Sequence, residues 1–129
     1  REQANAYLEA VNRAKEQNPP PMLFILHKLR GISLHPVDPE SVLAEANFVS
    51  YDSYIAGSAR LTKAIQILDS IQAKNEKALM FIETIAMQHL MAEIIKKRYR
   101  LSKRPDIING KTGDRIQRLV NDFQEESDF

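Results

Sequence analysis

Cysteine and tryptophan are absent from this 129-residue chain, glycine occurs four times, and apolar runs are short. Without cysteine there is no disulfide framework, no thiol nucleophile and no thiolate metal site. The histidines stand apart: His27 and His35 are eight residues from one another, and His89 is far downstream. That spacing does not fit a zinc module. Met22–Leu26 and Ala78–Ile82 fall far short of the roughly 20 apolar residues that cross a bilayer, so no membrane partner is expected. The chain opens on Arg1 and Glu2, without the charged–apolar–small order of a secretory leader. A cytoplasmic protein in a bacterium, or a nuclear one in a eukaryote, is the expectation. No initiator methionine opens the chain, which suggests a piece of something longer.

What is present is ordinary in amount and uneven in place. A 43% hydrophobic share is enough for a core, and the length is about that of one domain. Eighteen Lys and Arg against 17 Asp and Glu leave a formal charge of +1. From Lys74 to Arg118, however, eleven bases face five acids, and Lys96–Arg104 reads KKRYRLSKR. From Leu119 onward there are four acids and no base. Such an imbalance points to an anionic partner. The plainer reading is a solvated helix end, where cations also suit the helix dipole.

Periodicity predicts a helix over residues 2–18 with Ala4, Leu8, Val11 and Ala14 on one face, ended by Asn18 and the prolines at 19–21. A second helix, residues 21–35, places Leu23, Leu26, Leu29 and Ile32 inward. Asp38 before Pro39 is an N-cap with proline at the first helical position, and predicts a short helix through Ala46. Residues 47–58 are open between irregular and helical. Residues 58–73 are helical again, with Leu61, Ile65 and Leu68 in register.

From Lys77 the character changes. KALMFIE is a compact apolar run of strand length, predicted as a strand buried on both faces. A helix follows over residues 84–100, with Ile85, Leu90, Met91, Ile94 and Ile95 in register. Pro105–Asn109 is a second strand candidate. Gly110 turns the chain into a helix with Ile116, Leu119, Val120 and Phe123 inward. Met80, Met87 and Met91 with Phe81 read as core filling. This order predicts an α/β fold: a mostly helical chain carrying a short parallel βαβα unit. Two strands do not make a stable sheet in isolation, so the α/β part looks unfinished at Phe129.

Motifs for chemistry are sparse. GKTG at Gly110 resembles the end of a P-loop, but the glycine required five positions earlier is Pro105, which has no amide to offer a phosphate. A strand end meeting a helix start at Gly110, Lys111 and Thr112 still suits a single phosphate. Its plainer reading is a tight turn with a cap. Glu83 is a lone acid, Asp114 reads as a cap, and no nucleophile has a base beside it in sequence.

The segments in order resemble a known arrangement. LRGISLHP ends a helix at His35–Pro36. Ser58, Ala59, Arg60 and Leu61 match a helix opening Ser-Ala-Lys-Leu. Lys77, Leu79, Met80, Phe81 and Thr84 echo a strand of the form K-x-L-I-F-S/T, with Glu83 inserted before the hydroxyl. Ile108, Gly110, Thr112, Arg118 and Phe123–Gln124 match a strand–turn–helix that follows it. This set is similar to the start of the C-terminal helicase lobe of Swi/Snf-type ATPases, members of helicase superfamily two. The likeness is good over residues 58–124 and looser over 29–36.

The resemblance implies a helical lead-in over residues 1–57 and the first half of an incomplete RecA-like lobe over 58–129. It implies a parent that hydrolyses ATP with Mg²⁺, while this chain holds no cofactor and is inactive alone, since hydrolysis takes groups from two lobes. Its partners would be double-stranded DNA, met along the backbone, and the N-terminal ATPase lobe. By resemblance, Thr84 offers a hydroxyl to one phosphate, and Gly110, Lys111 and Thr112 hold the next. The helix after Gly110 is about one residue shorter than the family pattern, so Arg115 or Arg118 fills the arginine position. Lys96, Lys97 and Arg98 are further candidates for DNA or inter-lobe contact. Two other readings stand beside this one. One is a non-catalytic helical module whose basic edge binds protein or RNA. The other is a small phosphate-binding enzyme, which the absent sheet partners disfavour.

Overall fold

A computed structural model of the chain describes residues 1–16, 22–44 and 50–129. The chain divides into two compact units, residues 1–66 and 67–129. The expected prolyl end of the first helix and the expected end of the third at Ala46 lie outside the described residues.

In the first unit, helix α1 (Glu2–Lys15) packs on α2 (Met22–Leu34). The buried side of α1 is turned from the expected one: Ala10 is buried, while Ala4 and Leu8 face solvent. Gln3 accounts for part of this turn. Its side-chain amide donates to the carbonyls of Ile32 (3.3 Å) and Ser33 (3.4 Å), which lie in the last turn of α2 and lack helical partners. On α2, Ile32 is buried and Leu29 half-buried as expected, whereas Leu23 and Leu26 are exposed. Helix α3 (Pro39–Ala44) is capped as its sequence predicts, the Glu40 amide donating to Asp38 Oδ1 at 3.1 Å. Helix α4 (Tyr51–Ala56) is capped by Ser50 and buries Tyr54 and Ile55.

Helix α5 (Ala59–Ala73) starts from Ser58, whose hydroxyl accepts the Leu61 amide at 3.2 Å. It ends in a left-handed Asn75 (φ 53°), with the Glu76 amide reaching back to Ile71 and the Asn75 amide to Gln72. Both bonds together form a Schellman end.

In the second unit, helix α6 (Ile85–Arg98) buries Met87, Leu90, Met91 and Ile94, one stripe at helical spacing. Arg100 (φ 54°) ends it with the Leu101 amide on Lys96, a second Schellman end built on a non-glycine residue. A 3₁₀ turn, Gly113–Arg115, leads into α7 (Ile116–Glu125), where Leu119, Val120 and Phe123 are half-buried and Ile116 is exposed.

The α/β expectation is overturned. The described residues form helices and turns and contain no strand, so the parallel βαβα unit is not formed. The KALMFIE run and Pro105–Asn109 are non-helical, and neither joins a sheet. Leu79 is 72% and Phe81 93% exposed, so the run is not buried on both faces. Met87 and Met91 do fill the interior; Met80 and Phe81 do not. The physical reason is that an apolar run becomes a sheet strand when neighbours supply ladder partners, and such neighbours are not among the described residues.

Candidate functional site

The residues expected to meet phosphate fall at one end of α6, and a single side chain joins them. Thr84 is the N-cap of α6, with extended backbone (φ −101°, ψ 139°), and its hydroxyl makes no capping bond. One turn into the helix, Gln88 donates through Nε2 to the Ile82 carbonyl at 2.9 Å. Its Oε1 accepts from Asn109 Nδ2 at 3.0 Å. The turn carrying Gly110, Lys111 and Thr112 is thereby tied to the segment that delivers Thr84, although the two are far apart in sequence.

That turn is built by local polar bonds. Asn109 Oδ1 accepts the Lys111 amide at 2.9 Å, and the Thr112 amide donates to the Asn109 carbonyl at 3.0 Å. The Thr112 hydroxyl accepts the Asn109 amide at 2.8 Å and lies 3.3 Å from the Ile107 carbonyl, to which it donates. Thr112 is buried, so its hydroxyl shapes the turn from inside. Gly110 and Lys111 are exposed, and a Cβ on Gly110 would meet nothing within 4 Å. Gly113 has φ +59°, the left-handed region that favours glycine. With two of its amides committed to Asn109, this is a capped turn and not a row of amides curled round a nucleotide's phosphates.

Arg115, at the end of the 3₁₀ turn, and Arg118, in the first turn of α7, are both exposed. Arg118 Nε is 3.9 Å from Asp122, one helical turn on, a loose surface pair. Arg115 is four residues and Arg118 seven residues after Lys111.

Lys96, Lys97 and Arg98 occupy the opposite end of α6, about 20 Å away at 1.5 Å per residue. Much of the basic run there is already answered. Arg98 makes a bidentate pair with Asp69, at 3.0 and 2.8 Å. Arg104 meets Glu93 at 2.9 Å, and Lys103 lies near Asp106 and Glu126 at 3.7 and 3.8 Å. The Arg98 bond holds the Asp69 carboxyl below its ordinary range, helped by the Tyr99 hydroxyl, which donates to it at 2.8 Å. Desolvation first, and then the Asp69 carboxylate, push the Tyr99 phenol up to about 12.

Sequence reasoning did not find Gln88, and it read Lys77 and Asn109 as strand residues and not for the bonds they make. Lys77 Nζ donates to the Phe123 carbonyl at 2.6 Å and sits 4.8 Å from the Phe123 ring centroid, closing the C-terminal end of α7. The signal for Asn109 was its place just before Gly110, an Asx-turn position. Gln88 gave none.

Among the described residues, no group of three or more His, Asp or Glu is placed to hold a metal ion. No described helix is long and apolar enough to cross a membrane. Family models, curated proteins and solved structures give no match to the chain.

Proposed function

We propose that this chain is part of an ATP-dependent DNA translocase of the Swi/Snf type, and that it holds the phosphate backbone of double-stranded DNA at the N-terminal end of α6. The sequence resemblance supplies the activity. The observation that supports the binding end is the Gln88 bridge, which ties Ile82, two residues before Thr84, to Asn109, two residues before Lys111.

The chemistry there suits a backbone and not a base. A hydroxyl at a helix start, an exposed ammonium and the amide of an open glycine all engage phosphate oxygens. A motor that moves over any sequence requires such contacts, and they weaken as salt rises. Mg²⁺ and ATP supply the driving reaction in the parent protein, and no residue of this chain is assigned a part in that reaction.

The test is ATPase activity of the full-length gene product with and without duplex DNA, beside this 129-residue chain as control. Turnover stimulated by duplex DNA in the first and absent from the second is expected. No turnover in either would favour the helical interaction module.

A further inference from the structure

Gln88 has both halves of its amide engaged. Its Nε2–H donates to the Ile82 carbonyl, its Oε1 accepts from Asn109 Nδ2, and Asn109 Oδ1 in turn accepts the Lys111 amide. These bonds run in one direction, from the Lys111 amide to the Ile82 carbonyl. Rotating either side-chain amide by half a turn would set donor against donor and acceptor against acceptor. The relay therefore fixes orientation as well as distance. It starts at the residue expected to meet one phosphate and ends two residues before Thr84, expected to meet another.

We infer that Gln88 is the positioning residue of the phosphate-binding end, setting the Lys111 turn against Thr84 so that one DNA strand meets both. This rests on the function proposed above. Gln88 carries no charge, and both halves of its amide are already bonded within the chain. Its removal would nonetheless lower the number of phosphates engaged, because a turn released from α6 no longer presents Lys111 in register with Thr84. A bond that merely stabilises the fold would not change that number.

The experiment measures binding of fluorescein-labelled duplex DNA of random sequence to the full-length gene product across a salt series. Lys111→Ala should weaken binding about three- to tenfold and reduce the salt slope by about one. Gln88→Met, which preserves length and helix preference without hydrogen bonds, should weaken binding comparably and also reduce the slope. The double variant should lose less than the product of the single losses, since both act through one contact. Asn109→Ser keeps an acceptor for the Lys111 amide but removes the donor to Gln88. It should reproduce the Gln88→Met result, and it answers the question if Gln88→Met does not fold. If Lys111→Ala is silent, or the gene product does not bind duplex DNA, the functional reading fails and this inference falls with it. If Lys111→Ala weakens binding while Gln88→Met and Asn109→Ser change only the melting temperature, the reading survives and Gln88 is a structural bond alone.

Discussion

The His35 imidazole lies flat on the Tyr54 ring, with centroids 3.6 Å apart and planes 14° apart. Its two nitrogens are spoken for: Nδ1 accepts the Val37 amide at 2.9 Å, and Nε2 donates to the Tyr54 carbonyl at 2.6 Å. This is the neutral ring in one tautomer. Beside it, the Ser58 hydroxyl donates to the Leu34 carbonyl, so the end of α2 and the start of α5 meet at this point. His35–Pro36 and Ser58–Leu61, two separate pieces of the sequence resemblance, are thus neighbours in the first unit.

Burial lowers the His35 pKa from its ordinary 6.5, more than its bond to the Tyr54 carbonyl, the Val37 carbonyl near Nδ1 and the charge of Glu2 raise it. The unfolded chain then binds a proton more readily than the folded one between the lowered value and 6.5, so stability falls as pH drops through that window. Thermal unfolding followed from pH 7.5 downward should show the melting temperature declining below about 6.5. His35→Leu should be less stable at neutral pH and lose most of that decline. An unchanged decline in the variant would locate the titrating group elsewhere.

Gly57 is required by this ring and not by its own backbone, whose φ is −68°. A Cβ at that position would stand 3.0 Å from His35 Nε2, closer than two such atoms normally pack. Gly57→Ala should destabilise the chain by about 1–3 kcal/mol, the usual cost of overpacking, measured by denaturant unfolding. A neutral result would mean that the imidazole yields easily.

Phe81 and Leu90 separate the two readings of the second unit. A buried strand would make Phe81→Ala cost roughly 3–5 kcal/mol. At 93% exposure, Phe81→Ala should instead stay within about 0.5 kcal/mol of the parent chain. Leu90 is fully buried on α6, and Leu90→Ala should cost about 2–5 kcal/mol. Equilibrium unfolding of both variants checks the pair, and a large loss at Phe81 would restore the buried strand.

Arg100 adopts the left-handed conformation after α6 and should gain from glycine. Arg100→Gly relieves a side chain at φ 54° and keeps the Leu101 amide on Lys96, so a stabilisation of about 0.5–1 kcal/mol is expected. A loss would show that the arginine side chain contributes more than its backbone costs.

Most of the helices were legible in the sequence through their punctuation and spacing, while α4 lies in a stretch left open between irregular and helical. Asp38–Pro39 marked α3, and Ser58 marked the start of α5. Leu61, Ile65 and Leu68, and then Leu90, Met91 and Ile94, kept helical spacing and are buried. The face of α1 was misjudged because Gln3, a polar residue, fixes its rotation by bonding the end of α2. KALMFIE was misread as a buried strand because a short apolar run states hydrophobicity without stating what will cover it. In the candidate site, Thr84, Gly110 and Lys111 were visible as residue types at a helix start and a turn. Gln88 to Asn109 was not, since a hydrogen bond between side chains 21 residues apart leaves no periodic trace. The basic run was conspicuous, yet Asp69 and Glu93, which answer two of its arginines, lie outside it in sequence.

The central claim is that DNA phosphate meets the N-terminal end of α6 and not the basic end. The most direct measurement is the salt dependence of duplex DNA binding by the full-length gene product, comparing Lys111→Ala with the paired Lys96→Ala and Lys97→Ala variant. Lys111→Ala should flatten the slope by about one contact, and the paired variant should leave it unchanged. A slope flattened by about two in the paired variant and untouched by Lys111→Ala would contradict the account and move the DNA to the other end of the helix.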